Sequence, residues 1–139
     1  MALPGTLLDG RSLAAMLSGL DATTWVFGEA AALDDEVDKL AARTTAPAVW
    51  LGHLLGGIVA LHLARRHPGS VAALMLLGAN ARAGRDTSEA RRAAQWALAQ
   101  RRGLAALARE QLAPSYGLTS GLNTQDALVP SLVEQAEAV

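Results

Sequence analysis

The stretch Val49-Trp50-Leu51-Gly52-His53-Leu54-Leu55-Gly56-Gly57 constrains the fold more than any other part of the chain. A β-branched and aromatic run opened by Pro47 reads as a strand and ends at Gly52. A sharp turn follows, and Ile58 to Arg66 reads as a helix closed by His67-Pro68-Gly69. Gly52 and Gly56 stand two positions on either side of Leu54. A strand-to-helix turn this tight needs small flanking residues, because a Cβ there would strike the neighbouring backbone. The next run, Val71 to Leu77, is apolar throughout, as suits a strand covered on both faces. Strand, helix, strand at this spacing calls for an α/β fold with a parallel sheet and right-handed crossovers.

The flanking sequence extends the pattern. Met1-Ala2-Leu3 is a strand stub stopped by Pro4-Gly5, and Asp9 can cap a helix reaching about Leu20. Thr23 to Phe27 reads as a further strand, ended by Gly28, which brings the sheet to about four strands. Asp34-Asp35-Glu36 places three acids in a first helical turn, where the helix dipole favours them, ahead of Val37, Leu40 and Ala41. After Gly78 the strand signal stops. Asp86 and Glu89 are spaced as a capping box for a helix to about Leu112, with Gly103 a candidate break. Pro114 to Gln125 reads as a loop, and Asp126 to Val139 as a helix interrupted near Pro130.

Composition narrows the function classes. The 139 residues are 51% apolar and 18% charged, which excludes disorder. Twelve Lys+Arg against 13 Asp+Glu give a net charge of −1, and this removes the electrostatic case for nucleic acid as a partner. The absence of cysteine excludes disulfides, a thiol nucleophile and thiolate metal sites, and fits a cytoplasmic protein. The start of the chain lacks the pattern of a leader peptide, and the most apolar window, Val71–Leu77, is far short of the roughly 20 residues of a membrane span. No Gly-Lys-Ser/Thr follows the glycines, so a Walker loop is excluded, and the G-x-G spacing of a dinucleotide site is missing. His62 and His67 read as a helix-face residue and a partner of the helix dipole, and no His/Asp/Glu set has zinc-like spacing. Neither a cofactor nor a metal is expected.

Gly52-His53-Leu54-Leu55-Gly56-Gly57-Ile58-Val59-Ala60-Leu61, followed by Arg66-His67-Pro68 and Val71–Leu77, resembles the nucleophile-elbow block of the α/β-hydrolase superfamily. Leu3-Pro4-Gly5-Thr6 resembles that family's oxyanion loop. The resemblance implies a partial α/β-hydrolase core over residues 1–80, with strand order 2-1-3-4. It also implies a helical cap over residues 81–139, where the arginines between Arg82 and Arg109 sit. Thr6 and Leu55 would then supply the two oxyanion N–H groups. Relatives in the family cleave esters, lactones and related small carbonyl compounds by acyl transfer.

Two departures set the functional expectation. Leu54 occupies the nucleophile position, and leucine cannot attack a carbonyl. None of His53, His62 and His67 matches the family's catalytic histidine, and Gly78-Ala79-Asn80 offers no carboxylate where some relatives carry one. The chain is therefore expected to keep the scaffold without turnover, as a truncated or degenerate member. An alternative reading is a non-catalytic module that takes an apolar ligand beneath the cap. Leu54 either relaxes the elbow or plugs the pocket. Trp96, with Ala93 and Leu104, is expected to pack within the cap, and the arginines to form a solvated surface. A sheet without neighbours on either side predicts a homo-oligomer, or a fragment that needs a C-terminal half.

Overall fold

A computed structural model of the chain describes residues 1–6, 8–27, 32–79, 86–115 and 128–138. The chain divides into two compact units, Met1–Ala81 and Arg82–Val139.

The first unit is an α/β layer structure. Strands β1 (Ala2–Leu3), β2 (Ala48–His53) and β3 (Val71–Leu77) form a parallel sheet in the order β1-β2-β3. Helix α1 (Ala14–Leu17) follows a 3-10 turn at Gly10–Leu13, α2 (Leu33–Ala42) precedes β2, and α3 (Leu55–Arg66) joins β2 to β3. The parallel α/β class expected from the sequence is present, with three strands in place of four. Thr23–Phe27 contributes a single parallel bridge, Thr24 to Ala2, on the side of β1 away from β2. The reason lies in β1. Pro4 follows two paired residues and has no N–H to continue the ladder, so a neighbouring strand finds almost nothing to pair with.

Alternation along the strands sorts the core onto two faces. Leu3 and Trp50 join Val37 and Leu40 of α2 and Val59, Ala60 and Leu63 of α3 in one cluster. Ala2 and Leu51 meet Leu13 on the other face. Trp50 is fully buried and donates Nε1–H to the Ser70 carbonyl at 2.9 Å, which settles its one polar group. Asp9 caps the 3-10 turn by accepting from the Arg11 N–H at 2.8 Å, as its position suggested, although the helix that follows stops at Leu17 rather than Leu20.

The second unit is helical. Helix α4 (Asp86–Leu107) is broken at Gly103 (φ 82°, ψ 169°), where the sequence placed a break. A π-helical turn (Ala108–Leu112), α5 (Ala113–Ser115) and α6 (Leu128–Ala138) follow. Among the described residues, Leu98, Leu107, Ala108, Ala113, Leu132 and Val133 are buried apolar side chains of this unit. Two expectations are corrected here. Pro130 does not interrupt α6, because it lies in the first turn, where a missing N–H costs nothing. Trp96 is 66% exposed rather than packed. Most of the expected 114–125 loop, Asn80, and the side chain of Asp86 lie outside the described residues. Among the described residues no helix is long and apolar enough to cross a membrane.

Candidate functional site: the turn between β2 and α3

Helix α3 begins at Leu55, three residues earlier than Ile58, so the turn contracts to Leu54 alone. Leu54 has φ 50° and ψ −111°, and among the described residues no other non-glycine residue has positive φ. A leucine held there costs on the order of 1–3 kcal/mol. The elbow has therefore not relaxed, and the strain is held by neighbours. The Leu54 N–H donates to the Leu77 carbonyl at 2.8 Å, tying the turn to the end of β3. Its carbonyl accepts from the N–H groups of Gly57 (3.1 Å) and Ile58 (3.3 Å), which closes the first turn of α3.

The flanking glycines are where close approach requires them. A Cβ on Gly52 would stand 2.5 Å from the Cα of Gly57, and one on Gly56 would stand 2.2 Å from the Leu3 carbonyl oxygen. Strand, turn, helix and the loop after β1 are in backbone contact, and no side chain fits between them. The Gly56 N–H donates to the Pro4 carbonyl at 3.1 Å, so the 4–6 loop is pinned to the first turn of α3.

The Leu54 side chain reaches into the space bordered by Gly5 and Gly78. Its Cδ1 lies 3.2 Å from where a Gly5 Cβ would be, and its Cδ2 lies 3.0 Å from the corresponding point on Gly78. His53 Nδ1 lies 3.4 Å from that same Gly5 point. This nitrogen is buried and has no hydrogen-bond partner among the described residues, and burial lowers the His53 pKa from its ordinary value. Burial therefore favours the neutral imidazole. Thr6 is exposed in the turn closed by the Leu8 N–H to Gly5 carbonyl bond, 3.1 Å. Leu55 is the first residue of α3, at the positive end of its dipole. The backbone N–H groups of Thr6 and Leu55 have no hydrogen-bond partner among the described residues.

The other two histidines are engaged away from the elbow. His67 caps α3, and its Nε2 is 2.6 Å from Asp38 Oδ1 on α2. Arg66 grips the same carboxylate through Nε (2.7 Å) and Nη2 (2.9 Å). The hydrogen bonds from Arg66 and His67 hold the Asp38 carboxyl far below the usual carboxylate range. His62 Nδ1 is 3.9 Å from Asp34 Oδ1, beyond hydrogen-bond distance. Sequence reasoning anticipated no catalytic part for these two but missed the acids of α2, which lie 28 and 29 positions away in the chain. Among the described residues no three His, Asp or Glu side chains converge as a metal site.

A strained residue at a strand–helix turn has glycines in backbone contact on both sides and an adjoining loop pinned to the helix. No family model matches the chain, and no curated protein sequence matches it. Among solved structures it is similar to one reported with the carboxylesterases of the ammonia-oxidizing Thaumarchaeon Nitrososphaera gargenis, with a TM-score of 0.62 and 19% identity. The match covers 80% of this chain and 48% of that one, so the aligned part spans about half the length of the solved protein. The chain thus carries part of an α/β-hydrolase fold.

Proposed function

We propose that this chain is an α/β-hydrolase-type scaffold that keeps the elbow of an acyl-transfer enzyme without its nucleophile, and that it does not turn over substrate. The observation that supports this reading is the backbone of Leu54. The turn holds its central residue at φ 50° with an exposed helix N-terminus beside it, yet the side chain offers no nucleophilic atom. With a serine there to attack, the N–H groups of Thr6 and Leu55, which have no partner among the described residues, fit the part of donors to the developing oxyanion of an ester, a lactone or a related small carbonyl compound. No described histidine is set beside that point with a carboxylate to orient it, because His62 and His67 face Asp34 and Asp38 instead. The purified chain is expected to give no turnover with short p-nitrophenyl esters, and Leu54→Ser alone is expected to stay inactive. Turnover proportional to protein that survives stringent purification would refute this.

A second reading is favoured by one observation, the apolar Leu54 side chain lying between Gly5 and Gly78. It makes the former site suited to an apolar ligand held without chemistry. Ligand-induced thermal stabilisation without product would separate this reading from the first. As partner we propose a second copy of the chain, paired through the outer edge of β3. This strand is uncharged, lies at the end of the sheet, and exposes Met75 (52%) and Leu76 (41%).

A further inference from the structure

The edge of the sheet opposite β3 carries a groove of about 900 Å³ between the 23–26 segment and α2, and no residue of the elbow is among the described residues that line it. Its backbone edge is open. The Ala2 N–H donates to the Thr23 carbonyl at 2.8 Å, and the Trp25 N–H donates to the Ala2 carbonyl at 2.9 Å. In a parallel pairing of this kind the bridging residue's own N–H and C=O face the other way. Thr24 therefore presents a donor and an acceptor to the outside, and neither has a partner among the described residues.

The wall of the groove is fixed in place. Trp25 Nε1–H donates to Glu36 Oε1 at 2.6 Å, and the Arg43 guanidinium lies 4.9 Å from the centre of the Trp25 ring. Glu36 is only 5% exposed, and it is the single acid among the described residues of the lining. Lys39 and Arg43 are both exposed, and the Lys39 Nζ is 3.9 Å from Glu36 Oε2, too far for a hydrogen bond. Two cations against one buried carboxylate leave the rim positive.

We propose that this groove is a strand-addition site for an extended peptide of a partner protein carrying an acidic side chain. The Thr24 N–H and C=O would start the ladder, alternate side chains would lie along Trp25 and α2, and the acid would meet Lys39 and Arg43. A small carboxylate could satisfy the cations. It could not satisfy a donor and an acceptor spaced for another backbone. The inference stands apart from the elbow and holds whether or not the chain is a catalyst.

The test uses the full chain and two labelled, end-blocked heptapeptides of alternating Val and Thr, one with a central Glu and one with a central Lys, titrated by fluorescence anisotropy. The Glu peptide is expected to bind saturably and at least tenfold more tightly than the Lys peptide. Lys39→Glu with Arg43→Glu is expected to invert that preference. N-methylation of the amides along one edge of the Glu peptide should weaken binding at least tenfold, and methylation along the other edge should leave it unchanged. These methylated peptides decide the matter even if the double variant fails to fold. No saturable binding, equal binding of the two peptides, indifference to both methylation patterns, or equal competition by an end-blocked glutamate would overturn the proposal. So would a change of oligomeric state in the double variant without peptide, which would assign the groove to a second copy.

Discussion

Replacing Gly56 by alanine tests whether the elbow is held by backbone contact. The added Cβ would stand 2.2 Å from the Leu3 carbonyl oxygen and 2.6 Å from the Pro4 carbonyl oxygen, against 3.4–4 Å for ordinary contact. Both obstacles are backbone atoms, so the first turn of α3 and the end of β1 must separate by about 1 Å, an overpacking that costs about 1–3 kcal/mol. Separation also stretches the Gly56 N–H bond to Pro4, worth about 1 kcal/mol more. The expected loss of about 3 kcal/mol is a large share of a small domain's stability. Gly69→Ala serves as the control, because a Cβ there meets nothing within 4 Å and φ is not positive. That change should leave stability the same or raise it by up to about 1 kcal/mol. Urea denaturation followed by the blue-shifted emission of buried Trp50 reports on the unit concerned, while exposed Trp96 emits further to the red. A Gly56→Ala chain within about 1 kcal/mol of the parent at unchanged denaturant slope would refute the close-contact account.

Further outcomes follow from the same geometry. Trp50→Phe removes the Nε1–H that satisfies Ser70 and opens a small cavity, so it should cost about 1–3 kcal/mol by denaturation, and a neutral result would mean the site collapses around the smaller ring. Asp38 is held below the usual carboxylate range, so the folded chain binds that proton less readily than the unfolded chain. Its contribution is complete above about pH 4 and is lost as pH falls below it, and Asp38→Asn should flatten that limb in a series of thermal melts. His53 is likewise depressed, by burial, so the folded chain favours the neutral ring. Stability should start to fall as pH drops below about 6.5, and His53→Gln should remove that step and leave the more acidic limb. Met75→Lys should shift light-scattering mass toward monomer, and an unchanged mass would exclude pairing through β3.

What the sequence made legible was local. The β2–turn–α3–β3 run follows from β-branched residues, tightly spaced glycines and an uncharged strand, all within about thirty positions, and each element is present; β3, however, was expected to be covered on both faces and has no buried residue, because it is the end strand of the sheet among the described residues. The tight turn centred on Leu54 was equally legible, since the glycines two positions to either side mark it. The shortfalls are non-local. Thr23–Phe27 has the composition of a strand, but its pairing depends on a neighbour that Pro4 cuts short. The acids of α2 read as partners of the helix dipole, whereas Glu36 is buried beneath Trp25 and Asp38 bridges to Arg66 and His67, contacts that exist only once α2 lies against α3. Trp96 carries no local mark that would separate an exposed indole from a buried one.

The backbone of Leu54 has one more consequence. The hydrogen bonds that fix it run through main-chain atoms of Leu54, Gly57, Ile58 and Leu77, and none uses the leucine side chain. Position 54 is thus a mount whose rigidity is independent of what it displays. A chain can lose its reactive group there by one substitution and still pass every check that folding imposes. For the same reason a cysteine placed at 54 would hold a spectroscopic label or a synthetic catalyst in a fixed orientation at the head of α3.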